Sequence, residues 1–196
     1  MQKLILIDPQ EQLCEAWQSA FQGANEVEIV NGKFEQVADF DCMVSAANSF
    51  GLMDGGVDLA ITNFFGTALQ TKVQQRILRD YNGEQPVGTS FIIETDSKAH
   101  PFLAHTPTMR VPMPITNTDN VYLAMKAMLQ CVKDFNNSSE RIKTVVCPGL
   151  GTATGRVPYE EAARQMALAY QYYKRPPQTI TWNSAAARHR SIISGI

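Results

Sequence analysis

Apolar residues along this chain occur in two patterns, short continuous runs and longer segments with helical spacing. The continuous runs predict strands at Lys3 to Ile7, Val27 to Val30, Cys42 to Ala47, Phe91 to Glu94 and Phe102 to His105. The run from Cys42 to Ala47 is almost entirely apolar, which is typical of a parallel strand buried on both faces. We therefore expect this strand to be covered on both sides.

The segments with helical spacing lie between the strands. They predict helices at Gln10 to Phe21, Gly56 to Phe65, Thr67 to Tyr81, Asp119 to Phe135 and Tyr159 to Tyr173. Strands that alternate with helices in this way are typical of α/β proteins. The sequence thus predicts an α/β fold that opens with a β-α unit.

The character of the chain changes after the Arg175-Pro176-Pro177 segment, which ends the last of these helices. Thr179 to Trp182 has the composition of an edge strand, whereas Ala185 to Ile196 gives no prediction. We expect residues 1–175 to form one domain and residues 176–196 to be a tail packed on it.

Composition agrees with one compact domain, because 196 residues with 44% hydrophobic and 18% charged residues suffice for a single core. A net charge of −2 gives no basis for bulk binding to nucleic acid or to an anionic membrane. No apolar run is long enough to span a bilayer, and acidic residues interrupt the N-terminal segment. We expect a cytoplasmic protein.

Cysteine and histidine residues give little indication of chemistry. The cysteines are spread over predicted helices and strands and are expected to be core thiols: Cys14, Cys42, Cys131 and Cys147. His105, at the end of a predicted strand, is expected to be structural. Because no histidine, cysteine or carboxylate cluster has metal-binding spacing, we predict no required metal and no cofactor.

The strongest candidate for chemistry follows the apolar strand Cys42 to Ala47. Asn48 stands at its carboxyl end, and Gly55-Gly56 then opens a helix. In α/β sheets ligands bind at that edge, and glycines at a helix N-terminus let backbone N–H groups approach an anion. The loop is neither a P-loop nor a Rossmann glycine motif. It predicts a phosphate-binding loop of another kind.

These residues resemble the macro domain family. The first loop is Ser45-Ala46-Ala47-Asn48 followed by Asp54-Gly55-Gly56-Val57-Asp58-Leu59-Ala60-Ile61, and further similar segments follow in order: Gly83 to Thr89, Leu103 to Thr106, and Val145 to Gly155. The resemblance extends over roughly Val27 to Lys174. It implies a three-layer α/β/α domain with a central mixed sheet.

The resemblance also implies a ligand, ADP-ribose or a related NAD-derived nucleotide. The resemblance, together with the chemistry of the residues, predicts the following ligand-binding residues: Phe34, Ala47, Asn48, Asp54, Gly55, Gly56, Val57, Gly149, Gly151, Thr152, Ala153, Thr154 and Gly155. In the hydrolase branch of the family, Asn48 and Asp58 would be catalytic, positioning the distal ribose and an attacking water. The implied activity is hydrolysis of ADP-ribosyl linkages, with an ADP-ribosylated macromolecule as a partner.

Structural alternatives exist for each of these features. The glycines can serve tight turns that need positive φ, and Asn48 can cap the strand end. Asp58 can occupy the first helical turn because negative charge is favourable there. The sequence leaves these alternatives open.

The chain also departs from the family pattern. Where macro domains carry the aspartate that recognises adenine, this chain has Gly32-Lys33-Phe34, and Asp39 or Asp41 would replace that aspartate only with a shifted loop. Phe34 is a candidate to stack on the base. Asp54 replaces the first glycine of the family's loop. These departures favour an alternative, a non-catalytic receptor or sponge for an ADP-ribose-like nucleotide. Two further alternatives are an ADP-ribose-phosphate phosphatase, as found among divergent members of the family, and a macro fold that serves only as an interaction module.

Overall fold

A central mixed sheet organises the protein, as seen in a computed structural model that describes residues 1–195. Its six strands are β1 Lys3–Asp8, β2 Val27–Asn31, β3 Cys42–Asn48, β4 Phe91–Glu94, β5 Phe102–Met109 and β6 Thr144–Cys147. They lie in the order β2-β1-β6-β3-β5-β4. All neighbouring strands are parallel except β4, which runs antiparallel to β5.

Helices cover both faces of the sheet. They are α1 Glu11–Ala20, α2 Gly56–Phe65, α3 Ala68–Tyr81, α4 Asn120–Ser139, α5 Tyr159–Lys174 and α6 Trp182–Ser194. Buried residues of α1, α4 and α5 form one apolar core, and those of α2 and α3 form the other. The expected three-layer α/β/α fold with a mixed sheet is confirmed.

The apolar strands supply side chains to both cores. Along β1, Leu4 and Leu6 face the core of α1, α4 and α5, whereas Ile5 and Ile7 face the other core. Successive side chains of a strand point to opposite faces, so a strand between two helical layers must be apolar at every position. This requirement explains the continuous apolar runs in the sequence.

The C-terminal segment is helical, and the edge strand considered at Thr179 to Trp182 is wrong. The hydroxyl of Thr181 accepts a hydrogen bond from the N–H of Ser184, and the Ser184 hydroxyl accepts one from the N–H of Thr181. This reciprocal capping starts α6 at Trp182. Arg164 of α5 donates to main-chain oxygens near the end of α6, which holds the two helices together. Residue 196 lies outside the described part of the chain.

Strand β5 continues past His105 to Met109, so His105 lies in the middle of a strand and not at its end. The antiparallel neighbour β4 begins at Phe91, which lies opposite His105. Residues of β5 after His105 therefore have no partner in β4 and pair with β3 alone. Pro107, which has no N–H to donate, is tolerated there for that reason.

His105 is a buried, neutral side chain. Gln85 donates its amide to the main-chain oxygen of His105 at 3.3 Å, which turns the amide oxygen of Gln85 toward the His105 ring at 2.6 Å. The ring nitrogen Nδ1 therefore carries the proton. Burial lowers the pKa of His105 to about 3. The structural role expected for His105 agrees with this packing.

None of the helices within residues 1–195 is long and apolar enough to cross a membrane.

Candidate functional site

A cleft of about 590 Å³ lies at the carboxyl edge of the parallel strands. The ends of β1, β3 and β5, the turn after β2, the start of α2 and the loop after β6 all contribute to its walls. The crossing order of the sheet brings these segments together, because β6 lies between β1 and β3. This is the edge at which open α/β sheets bind ligands.

All of the ligand-binding residues predicted from the sequence line this one cleft. They are Phe34, Ala47, Asn48, Asp54, Gly55, Gly56, Val57, Gly149, Gly151, Thr152, Ala153, Thr154 and Gly155, and the predicted catalytic Asp58 joins them. Sequence reasoning missed other lining residues, among them Asp8, Gln10, Leu52, Thr108, Pro112 and Tyr159. Of these residues, Asp8 could have been selected from the sequence, because it directly follows the first apolar run.

The first glycine loop leaves open space beside the start of α2. A β-carbon added at Gly55 or at Gly56 would meet no atom within 4 Å. Gly55 is the N-cap of α2 and offers no capping side chain. The first N–H groups of a helix lack partners within the helix, so this N-terminus can donate to an anion in the cleft.

The second glycine loop, between β6 and α5, is closely packed. A β-carbon at Gly155 would lie 2.4 Å from the main-chain oxygen of Gly151, and one at Gly149 would lie 2.6 Å from the Thr152 hydroxyl. The N–H of Ile115 donates to the Gly155 oxygen at 2.8 Å. These glycines therefore hold the shape of the loop. Thr152, Ala153 and Thr154 at its tip face the cleft.

Asn48 holds the start of the first loop in place. Its amide oxygen accepts from the N–H groups of Phe50 and Leu52 at 3.1 and 3.3 Å, and its amide nitrogen donates to the Leu52 oxygen at 2.7 Å. This is the strand-end cap that the sequence left open as an alternative. One N–H of the amide nitrogen stays available to a ligand in the cleft.

Asp58 is a buried carboxyl group on the first turn of α2. Only 5% of Asp58 is exposed, and its Oδ1 accepts a hydrogen bond from the Ser45 hydroxyl at 2.6 Å. Burial raises the pKa of Asp58 to about 6, the Ser45 hydrogen bond opposes that rise, and the charge of Asp54 adds to it. A carboxyl group with this pKa can accept a proton near neutral pH.

The end of the cleft next to β1 and β2 combines an apolar wall with a carboxyl group. Phe34 is almost fully buried, with its ring packed edge-on against Phe64 at 5.4 Å. Lys33 lines the cleft beside it. Asp41 is committed elsewhere, since its Oδ2 accepts from the N–H groups of Lys143 and Thr144. Asp8 and Glu35 are the carboxyl groups that line this end, and Asp8 is the less exposed of the two.

Within residues 1–195, no group of three or more histidine, cysteine or carboxylate side chains is placed to hold a metal ion.

The macro domain model matches residues 44–166 of this chain. That stretch covers both glycine loops and the cleft residues between them. The chain therefore belongs to the macro domain family. An uncharacterized protein of Aquifex aeolicus is 31% identical over 141 residues, which cover 72% of this chain and 78% of that protein. One from Sulfolobus acidocaldarius is 28% identical over 157 residues, covering 79% and 81%.

Solved macrodomains share the fold. The macrodomain of Mycobacterium tuberculosis DarG matches with a TM-score of 0.60 at 20% identity, covering 71% of this chain and 86% of that one. A variant macrodomain of Oceanobacillus iheyensis, solved with ADPR, matches with a TM-score of 0.62 at 20% identity, covering 82% and 88%. At these identities the likeness concerns the fold alone.

Proposed function

We propose that the protein binds ADP-ribose or a closely related nucleotide in this cleft. The observation that carries the proposal is the open first loop. A β-carbon at Gly55 or Gly56 would meet no other atom within 4 Å, and these glycines lie at the N-terminus of α2, which faces the cleft. A diphosphate fits such a place, because backbone N–H groups and the helix dipole favour negative charge. The second loop closes the other side with the Thr152 and Thr154 hydroxyls, which can donate hydrogen bonds.

Membership of the macro domain family supports the identity of the nucleotide. The Oceanobacillus iheyensis macrodomain, which shares the fold, was solved with ADP, and a variant of it was solved with ADPR. The cleft volume of about 590 Å³ is within the range of sites for ligands of this size.

A binding titration tests this part of the proposal. Calorimetry with ADP-ribose should give a dissociation constant in the micromolar range for the unaltered protein. Gly55→Glu should abolish binding and leave the fold intact, since φ at Gly55 is −147° and its surroundings are open. Gly55→Gln, which has the same bulk without the charge, should weaken binding less. Binding of ADP-ribose by Gly55→Glu at full strength would exclude the first loop as the diphosphate site.

We propose further that the protein hydrolyses ADP-ribosyl linkages and that Asp58 is the general base. The carboxylate removes a proton from a water molecule as that water attacks the anomeric carbon of the distal ribose. The bond from that carbon to the ester oxygen breaks, and the linked group leaves as a carboxylate. A pKa of about 6 suits this role, because the group is ionised at neutral pH and still takes up a proton. The Ser45 hydroxyl holds Oδ1 in place and leaves Oδ2 for the water.

Turnover of an ester-linked ADP-ribosyl peptide tests the catalytic role. Asp58→Ala should lower release of the peptide by a factor of about 100 or more, the usual contribution of a general base. Asp39→Ala, which removes an exposed carboxylate outside the cleft, is the matched control and should keep full turnover. Unchanged turnover in Asp58→Ala, in an active preparation, would rule out the assignment.

A non-catalytic receptor for the same nucleotide is the second candidate. The bonding of Asn48 favours it, because three of the hydrogen bonds that the Asn48 amide can make go to its own loop. An amide held in this way is less able to reorient a ribose during a reaction. A receptor would bind ADP-ribose tightly and release no product from any ADP-ribosyl ester, and release of inorganic phosphate from ADP-ribose phosphate would instead indicate the phosphatase.

A further inference from the structure

Asp8 ends β1 at one end of the cleft, and no other part of the proposed function uses it. Its Cα pairs with that of Asn31 on β2, which places Asp8 beside the turn at Gly32 and Lys33. Its main-chain oxygen accepts from the Gly32 N–H at 3.0 Å and from the Asn31 amide at 3.2 Å. The residue is thus tied to the turn that forms this end of the cleft.

The carboxyl group of Asp8 is held in a defined orientation. Its Oδ1 accepts from the N–H of Gln10 at 3.0 Å, and its Oδ2 accepts from the N–H of Gly149 at 3.3 Å. Two oxygens offer about four acceptor positions, so each oxygen has one left. Burial raises the pKa of Asp8 above its ordinary value, which shows that its ionised form is short of solvation.

The surroundings of Asp8 fit a planar aromatic group that carries a hydrogen-bond donor. Phe34 gives an apolar wall, and the open glycine loop at the start of α2 lies further along the same cleft. When the diphosphate of a nucleotide rests on the glycine loops, the nucleotide places the half that carries the distal ribose near Asp58. Its other half then extends toward Asp8.

We propose that Asp8 selects the base of the bound nucleotide by accepting a hydrogen bond from the exocyclic amino group of adenine. This inference rests on the proposed binding of ADP-ribose. The donor on adenine is the N6 amino group, and a carboxylate is a good acceptor for such a group. Asp8 thereby supplies from β1 the acceptor that the side chain of Lys33 cannot offer. Glu35, the carboxylate of the turn after β2, also lines the cleft and is more exposed than Asp8.

The test compares ADP-ribose with its analogue in which unsubstituted purine replaces adenine, so that the base has no donor. Calorimetry on the unaltered protein should show ADP-ribose binding roughly tenfold more tightly, the usual effect of one charge-assisted hydrogen bond. Asp8→Ala should bring the ratio of the two dissociation constants close to one. Asp8→Asn, which keeps one acceptor oxygen and the shape, should give an intermediate ratio.

The ratio separates recognition from a structural role. Loss of the Gly149 contact would weaken both ligands alike and leave the ratio unchanged. Asp39→Ala, outside the cleft, should keep the ratio of the unaltered protein. A ratio near one in the unaltered protein, or an unchanged ratio in Asp8→Ala and Asp8→Asn, would overturn the role of Asp8 and leave ADP-ribose binding standing. Failure of the unaltered protein to bind either ligand would overturn both.

Discussion

Replacing Asp58 by asparagine should stabilise the protein at neutral pH, in a way that depends on pH. Asparagine has the shape of aspartate, and its oxygen can still accept from the Ser45 hydroxyl, which lies 2.6 Å from Asp58 Oδ1. The replacement removes only the buried negative charge. The unaltered protein must bury that charge at any pH at which Asp58 is ionised in the folded state.

The size of the effect follows from the shift in pKa. Burial raises the pKa of Asp58 from 3.8 to about 6, a difference of about 2 units. At about 1.4 kcal/mol per unit, ionised Asp58 costs roughly 3 kcal/mol of folding free energy. Below the unfolded value of 3.8, Asp58 is protonated in both states and there is no cost. The cost grows as pH rises to about 6 and is then complete.

Urea unfolding of both proteins at intervals between about pH 4 and pH 8 measures this difference. The free energy of unfolding of Asp58→Asn minus that of the unaltered protein should rise by roughly 2 to 3 kcal/mol across the range, because a small part of the cost is already present at pH 4. Any fixed cost of the new amide cancels, because that cost does not change with pH. Asp39→Asn is the control and should give a flat difference. A flat or falling difference for Asp58→Asn would refute the argument that Asp58 is a buried, destabilising carboxylate.

Three further predictions concern the loop, the buried histidine and the tail. Gly155→Ala should lower the free energy of unfolding by about 2 kcal/mol, since its β-carbon would lie 2.4 Å from the Gly151 oxygen. Gly55→Ala should change the free energy of unfolding little, because its surroundings are open, and equal urea midpoints for the two variants would contradict this prediction. The ring resonances of His105 should not titrate in NMR spectra down to about pH 5, because its pKa lies near 3; a midpoint near 6.5 would show that the ring is solvated. Deletion of residues 176–196 should leave cooperative thermal unfolding within a few degrees, because α6 has no buried residue; loss of cooperativity would show that the tail belongs to the core.

The position of His105 has a second consequence for stability, with the opposite dependence on pH. Its folded pKa is lowered, so the unfolded chain binds a proton more readily than the folded protein does below about pH 6.5. Stability that depends on neutral His105 is therefore present above that pH and is lost as the pH falls toward 3. The comparison between Asp58→Asn and the unaltered protein is unaffected, since both contain His105.

Local features of the sequence were enough to predict most of the elements. The apolar runs and the helical spacing predicted α2 and β4 with the observed limits. Burial between two layers and amphipathic packing each require a pattern of apolar residues that are close together in the sequence. The glycine pair at Gly55 and Gly56 was visible for the same reason, since an open loop at a helix start depends on a few adjacent residues. The tail was different. Thr181 and Ser184 start a helix there by a reciprocal capping contact, and a short apolar stretch does not distinguish that from a strand.

Only the tertiary structure decided which residues meet in the cleft and what each of them does. Asp8 reaches it because β1 lies beside β2 and β6, and such pairing between distant segments leaves no pattern along the chain. The separate roles of the glycines, open at Gly55 and packed at Gly155, depend on atoms contributed by other loops. The raised pKa of Asp58 likewise comes from burial under neighbouring elements. The sequence by itself thus determined the elements and the candidate loops, while the electrostatics and spacing of the site arise from contacts between segments far apart in the chain.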